Sequence, residues 1–147
     1  MLTWFLTIAL LALASLMAFI RLSPADPADW HKPPALYGWD HGAPWDEVVP
    51  LTGGASLRLS AQKGAPKDLL ARLDALAMAT PRTQRLAGSV EEGRITWQTR
   101  SLLWGFPDYT TADVRADGLY VHGRLRFGRS DLGVNAARLT DWLARLQ

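Results

Sequence analysis

Residues 126–138 read RFGRSDLGVNAAR and join a strand pattern to a helix pattern through a short, strongly polar corner. Gly133 can take the left-handed conformation that a larger side chain avoids. Asn135 is predicted to cap the last helix by accepting an amide hydrogen from its first turn. Ser130 and Asp131 carry oxygens that can hold the amides of the loop. The pattern therefore predicts a fixed corner between the last strand and the last helix.

Two arginines mark the ends of this corner, and they allow two interpretations. As a structural clamp, Arg126 and Arg138 would flank Asp131 in charge-assisted hydrogen bonds. Alternatively, Arg126 and Arg138 converge with Arg100 on a small anion or a lipid headgroup, because a guanidinium group matches the oxygens of carboxylate and phosphate. The candidate residues for either role are Arg100, Arg126, Ser130, Asp131, Asn135 and Arg138.

The segments before the corner alternate between helical and strand periodicity. A helix is predicted from Pro66 to about Thr80, and the last helix from Ala136 to Leu146. The predicted strands are a short one at 57–60, a hairpin of 86–90 with 94–101, and a hairpin of 109–115 with 119–127 around Ala116-Asp117-Gly118. Two amphipathic helices and about five mostly antiparallel strands favour an α+β two-layer sandwich with both helices on one sheet face. The other face, which carries Arg100, Tyr120, His122, Arg124 and Arg126, is expected to be uncovered.

The N-terminal segment predicts a membrane anchor. Residues 2–20 carry no charge and would span about 28 Å as a helix, close to the thickness of the hydrocarbon layer. A cleaved signal peptide is the alternative, since Ala12-Leu13-Ala14 has small residues at the right spacing, but no Lys or Arg precedes the apolar run. Arg21 and Lys32 weakly place the following domain in the cytoplasm. A signal anchor would export it, so we expect an inner-membrane protein with a periplasmic domain.

The segment after the anchor combines prolines with large aromatic side chains. Prolines recur between Ser23 and Gly54, which excludes a continuous helix or an inner strand and predicts an extended arm. Aromatic residues of this size need a surface to cover them: the protein's own domain, the membrane interface or a partner subunit. The candidate contact residues are Trp30, Tyr37, Trp39 and Trp45 in the arm, with Trp104 and Phe106 in a later loop.

Composition narrows the possible functions. The chain of 147 residues has a formal net charge of +2, which does not favour nucleic-acid binding. It has no cysteine, which excludes a disulfide framework, a thiolate metal site and a cysteine nucleophile. His31, His41 and His122 lack zinc-site spacing, and Ser130 lies outside any nucleophile-elbow motif. We therefore expect no metal, no cofactor and no catalysis.

The corner also carries a family resemblance. The pattern Arg-x-Gly-x-Ser-Asp-x-Gly-x-Asn-x-x-Arg over residues 126–138 resembles the C-terminal signature of the domain of unknown function 1499 family, and residues 99–101 and 105–111 resemble its proteobacterial members. The chain departs from that pattern at Leu125, where many members have Ser, and at Arg129, where an aromatic residue is common. The resemblance covers roughly residues 57–147 and implies an envelope-associated or organellar domain with no established reaction.

These observations lead to one interpretation and one alternative. The anchor is assigned to residues 1–21, the Pro/Trp-rich arm to 22–54 and the α+β domain to 55–147. We expect a membrane-anchored, non-catalytic interaction module, an accessory subunit of a larger membrane protein complex, for example a respiratory or photosynthetic one. Its partners would be the lipid bilayer, through residues 2–20, and other membrane protein subunits. The alternative is an anion-binding or headgroup-binding domain that uses the arginines on the open sheet face.

Overall fold

The computed structural model describes residues 1–37 and 42–146 and confirms the α+β class. The helices are α1 (Leu2–Leu22), α2 (Pro27–Trp30), α3 (Pro66–Ala79) and α4 (Val134–Leu146), with 3-10 turns at Pro34–Tyr37 and Ala61–Lys63. The strands are β1 (Val48–Leu51), β2 (Gly54–Ser60), β3 (Thr83–Ser89), β4 (Arg94–Arg100), β5 (Pro107–Arg115) and β6 (Gly118–Leu125).

All six strands form one antiparallel sheet in the order β1-β2-β6-β5-β4-β3. The predicted hairpins β3-β4 and β5-β6 are confirmed. The strand beyond the predicted five is β1, which begins at Val48 inside the segment assigned to the arm. Pro50 is tolerated there because β1 lies at the sheet edge and pairs with a strand on one side only. The amide hydrogen that proline lacks is therefore not needed for hydrogen bonds to a second neighbouring strand.

α3 and α4 cover one face of the sheet, as the sequence predicts, and enclose the hydrophobic core. Trp97 of β4 and Trp142 of α4 meet edge to face with ring centroids 5.9 Å apart. Each apolar side chain buried here contributes roughly 1.5 to 3 kcal/mol. The indole nitrogens also have partners, because Trp97 donates to Asp74 at 2.9 Å and Trp142 donates to Thr80 at 2.9 Å. The core includes Leu57, Leu59, Leu69, Leu70, Leu73, Ile95, Leu119, Val121 and Leu139.

The second face of the sheet is covered by the arm, so the expectation of an uncovered face is wrong. Trp30 stacks on Tyr109 with ring centroids 3.9 Å apart. His31 contacts Thr96 at 2.9 Å and Glu92 at 2.8 Å through its two ring nitrogens. The sheet residues under and around this cover are buried, namely Thr96, Gln98, Tyr109, Thr111, Tyr120, His122 and Arg124.

The N-terminal helix α1 is long and apolar enough to span a bilayer. Nearly all of its side chains are exposed, and Ile20 near its end is its one buried residue. Its C-terminal end lies against the sheet, where the rings of Phe19 and Phe127 are 6.4 Å apart. The anchor therefore enters the domain at the end of the sheet where β4 and β6 finish and β5 begins.

Candidate functional site

The corner at residues 126–138 is organised by Asp131. Its carboxylate accepts hydrogen bonds from the Gly133 amide at 3.2 Å, the Asn135 amide at 2.9 Å and the Asn135 side-chain amide at 2.8 Å. Ser130 accepts the Leu132 amide at 3.2 Å, and Gly133 has a positive φ of 81°, as predicted. These bonds hold the loop and the first turn of α4 in place.

The prediction that Asn135 caps the last helix is wrong. α4 begins at Val134, so Asn135 lies inside its first turn and Asp131 supplies the capping oxygens. Asn135 is fully buried, and its carbonyl oxygen accepts a hydrogen bond from Arg138 at 2.7 Å. The buried Asn135 side chain fits against β6 because residue 123 is glycine. A Cβ at Gly123 would lie only 2.9 Å from the Asn135 side-chain oxygen.

Arg138 forms an ion pair with Asp108 on the helix side of the sheet. The predicted clamp, in which Arg126 and Arg138 flank Asp131, is therefore wrong. The Arg138 guanidinium group lies 3.2 Å from the carboxylate of Asp108, at the start of β5. Burial raises the pKa of the Asp108 carboxyl above its ordinary value, and the charge and hydrogen bond of Arg138 oppose that rise. This pair, together with Asn135, fastens α4 to β5.

Arg126 points to the opposite side of the sheet and binds the junction with the anchor. It donates to the Ser23 hydroxyl at 2.8 Å and to the Tyr109 hydroxyl at 3.2 Å, with a longer contact of 3.5 Å to the Ser23 carbonyl. Arg126 and Arg138 therefore do not converge on one ligand. Each supports a different layer of the structure.

Arg100 joins the anchor to the loop between β4 and β5. It donates to the Gly105 carbonyl at 2.9 Å and, at 3.4 Å, to the Ile20 carbonyl in the last turn of α1. Carbonyls at the end of a helix lack partners within the helix, and a positive charge there is favourable. Arg100 thus helps to complete the C-terminal end of the membrane helix.

Arg21 approaches the same loop from the anchor side. It donates to the Leu103 carbonyl at 3.0 Å. Gly105 has a positive φ of 75°, and a Cβ at this position would lie 2.9 Å from Cγ of Arg21. Glycine is required here both for the backbone conformation and for the close approach of Arg21. We call the contacts of Arg21, Arg100 and Arg126 with their backbone and hydroxyl partners the anchor junction.

A cleft of about 340 Å³ opens beside the anchor junction. Three guanidinium groups line it, from Arg21, Arg82 and Arg100, and its other lining residues are neutral. We call it the arginine cleft. Arg82 donates through its Nε to the Arg100 carbonyl at 3.1 Å, which holds the two residues together. Within the described part of the chain, none of the three arginines forms an ion pair with a carboxylate.

The predicted aromatic contact residues have different surroundings. Trp30 covers the sheet, and Trp45 packs edge to face on Tyr120 at 5.8 Å with the Arg58 guanidinium 4.4 Å from the Trp45 ring centroid. These two therefore pack on the protein's own domain, the first of the three surfaces considered. Trp39 and the side chain of Tyr37 lie outside the described residues.

Trp104 and Phe106 lie in the loop at the anchor junction, with ring centroids 6.4 Å apart. Phe106 also lies 6.1 Å from Phe127, which contacts Phe19 of α1. The loop extends an aromatic cluster from the end of the anchor onto the domain. Side chains left exposed at this end of the sheet are Leu102, Leu103, Phe106, Leu132 and Val134.

His31, His122 and Ser130 lie on different elements of the fold. Over residues 1–37 and 42–146 no group of three or more His, Asp or Glu side chains could hold a metal ion. His41 lies outside the described residues, and His31 is held by Thr96 and Glu92. Ser130 is exposed in the corner loop, whereas His122 is buried on the arm-covered face of β6.

His122 is a buried titratable group on the arm-covered face of β6. Burial lowers its pKa to about 3, and the nearby positive charge of Arg124 acts in the same direction. Its neighbours across the sheet are Ser56 on β2 and Thr111 on β5. The histidine is therefore neutral in the folded protein at physiological pH.

Sequence reasoning missed Arg21 and Arg82 as members of a shared site. Arg21 was visible as the first charge after the apolar run, but its partners are far away in sequence. Arg82 follows Pro81 between a helix and a strand and has no motif around it. A positive φ of 60° at Arg82, together with its bond to the Arg100 carbonyl, places it in the cleft.

Comparison with known families agrees with the resemblance carried by the corner. A family model described as "Protein of unknown function (DUF1499)" matches residues 47–146. The matched region begins next to β1 and includes the whole sheet, α3 and α4. No curated protein matches the chain.

Proposed function

We propose that this chain, which belongs to the DUF1499 family, is a membrane-anchored, non-catalytic interaction module. In this proposal it is an accessory subunit of a larger membrane protein complex, such as a respiratory or photosynthetic assembly. The observation that carries the proposal is the distribution of exposed apolar side chains. They lie mainly on α1 and on the loops at or near the anchor junction.

The contacts of the polar residues support a structural role for them. Asp131, Asn135 and Arg138 are engaged with one another and with Asp108, and Arg126 holds Ser23 and Tyr109. A module of this kind acts by binding, and the exposed apolar side chains of α1 and of the loops at the anchor junction are available to contact other subunits.

We also propose that α1 is retained in the inner membrane and that the domain lies in the periplasm. An apolar helix that precedes a single folded domain commonly acts as a signal anchor and exports that domain, and the proposal sets this tendency above the weak opposing charge of Arg21 and Lys32. The chain has no cysteine, so a Gln62→Cys variant carries one reactive thiol at an exposed site. A membrane-impermeant maleimide should label it in cells whose outer membrane alone is permeabilised. Labelling only after lysis of the inner membrane would place the domain in the cytoplasm.

The size of the extracted particle tests the module proposal. The full chain, tagged at its C-terminus and expressed at its native level, should migrate with a large assembly on native gels after extraction with mild detergents. The same chain extracted with a denaturing detergent provides the monomer reference. A sharp monomer band in several mild detergents would contradict the proposal.

A further inference from the structure

The loop between β4 and β5, residues 101–106, lies at the level of the membrane surface if α1 spans the bilayer. Arg21 in the last turn of α1 donates to the Leu103 carbonyl at 3.0 Å, which ties the loop to the end of the anchor. Leu102 and Leu103 nevertheless point outward and are 75% and 70% exposed. Two exposed leucines at that depth can enter the boundary between headgroups and acyl chains.

The arginine cleft lies beside these leucines, and Leu102 itself forms part of its wall. Arg21 uses one terminal nitrogen on the Leu103 carbonyl, Arg82 uses its Nε, and Arg100 uses one terminal nitrogen on two carbonyls. A guanidinium group has five N–H donors, so each arginine keeps donors that can turn toward the cleft. Three positive charges with neutral partners favour an anion.

We propose that the arginine cleft binds the headgroup phosphate of an anionic phospholipid from the bilayer that holds α1. The guanidinium groups of Arg21, Arg82 and Arg100 donate to the phosphate oxygens, and Leu102 and Leu103 contact the glycerol and the first methylene groups. The inference rests on the membrane anchoring in the proposed function. It concerns a different set of arginines from Arg126 and Arg138, which are engaged elsewhere.

The surroundings of the cleft favour a lipid over a small soluble anion. A soluble phosphate would use the arginines alone and would leave Leu102 and Leu103 in water. A phospholipid satisfies both, because its phosphate meets the positive charges while its apolar part meets the leucines and the exposed surface of α1. Charge and apolar surface are thus matched by one ligand that is already present at this depth.

Lipid retention by the full chain tests this site. The chain is reconstituted into nanodiscs of phosphatidylcholine and phosphatidylglycerol in equal amounts, released, and analysed by native mass spectrometry for bound lipids. Wild-type protein should retain phosphatidylglycerol in preference to phosphatidylcholine. Arg82→Gln should lower that preference about five-fold, as expected for removing one positive charge near an anionic membrane surface.

A matched variant and a competition experiment complete the test. In the competition, millimolar inorganic phosphate is added to the protein with its retained lipid, and the lipid should stay bound. Arg145→Gln removes one charge from the far end of α4, where Arg145 pairs with Asp141, and should leave the preference unchanged. Both variants should melt within a few degrees of the wild type. Equal retention of the two lipids by the wild type, an equal loss in Arg145→Gln, or complete displacement by millimolar inorganic phosphate would each overturn the proposal. Because the assay uses purified chain, its failure is separate from a failure of comigration with a large assembly.

Discussion

Trp30 is the residue that converts the proline-rich segment from a tether into part of the domain. Its ring stacks on Tyr109, and its carbonyl accepts hydrogen bonds from Thr111 at 3.2 Å and from Arg124. The sequence indicated that such an aromatic needs a cover, but it could not select the surface. The donors Thr111 and Arg124 lie 81 and 94 positions later, and no local pattern links them to the arm.

Replacing Trp30 should measure how strongly the arm is held. Trp30→Ala removes a half-buried ring and its stacking on Tyr109, and we expect a loss of about 2 kcal/mol in the free energy of unfolding. Trp30→Phe keeps an aromatic ring and should lose less. Denaturant titration of the full chain in detergent micelles gives both values. No measurable loss in Trp30→Ala would show that the arm does not stabilise the sheet.

His122 should give the domain a dependence on acid. Its pKa is about 3 in the folded state and about 6.5 when unfolded, so below pH 6.5 only the unfolded chain takes up the proton. The unfolding free energy should therefore fall as the pH is lowered from 6.5 toward 3, and this contribution is complete above pH 6.5. At about pH 4.5 the loss in unfolding free energy amounts to roughly 2 to 3 kcal/mol.

The His122→Gln variant isolates this effect. Its stability should decline less than that of the wild type between pH 6.5 and 4.5, as measured by thermal melting at a series of pH values. Asp108, whose raised pKa favours the folded state at low pH, is present in both proteins and cancels in the comparison. Parallel pH profiles for the two proteins would show that His122 does not contribute to the pH dependence of stability.

At the scale of elements, the sequence predicted what is local. The hairpin around Asp117-Gly118 and the stripe of leucines in α3 are patterns of neighbouring residues, and both are confirmed. β1 was missed because Pro50 and the preceding prolines resemble a loop, although an edge strand tolerates proline. The sequence pattern points to Asn135 as the cap of α4, whereas Asp131 supplies the capping oxygens, because both residue types accept helix amides and the pattern predicts the helix start two residues too late.

The anchor junction joins α1 to the sheet, and Arg126 is its central side chain. Arg126→Ala removes the donors to Ser23 and Tyr109, and we expect a loss of about 1 to 2 kcal/mol in stability. Arg129→Ala removes an exposed charge three residues away and should change stability by less than about 0.5 kcal/mol. Thermal and chemical unfolding of both variants checks this. An unchanged Arg126→Ala would instead favour a ligand-binding role for Arg126.

At the scale of the whole molecule, the polar bonds of the anchor junction align the end of α1 with the arginine cleft and the exposed leucines. The sequence predicted the anchor and the domain separately, since each has its own composition. It could not predict their contact, which depends on Arg100 reaching the Ile20 carbonyl and Arg126 reaching Ser23. The candidate arginines were therefore found, but their distribution between the two sheet faces was not.

The central claim is that α1 stays attached and holds the domain at the bilayer, and the mass of the mature chain tests it most directly. Intact mass spectrometry is applied to the chain recovered from native membranes after a carbonate wash, and to the soluble fraction. The account predicts a membrane-bound chain whose mass includes residues 2–22. A soluble chain whose mass begins beyond Ala14 would contradict it.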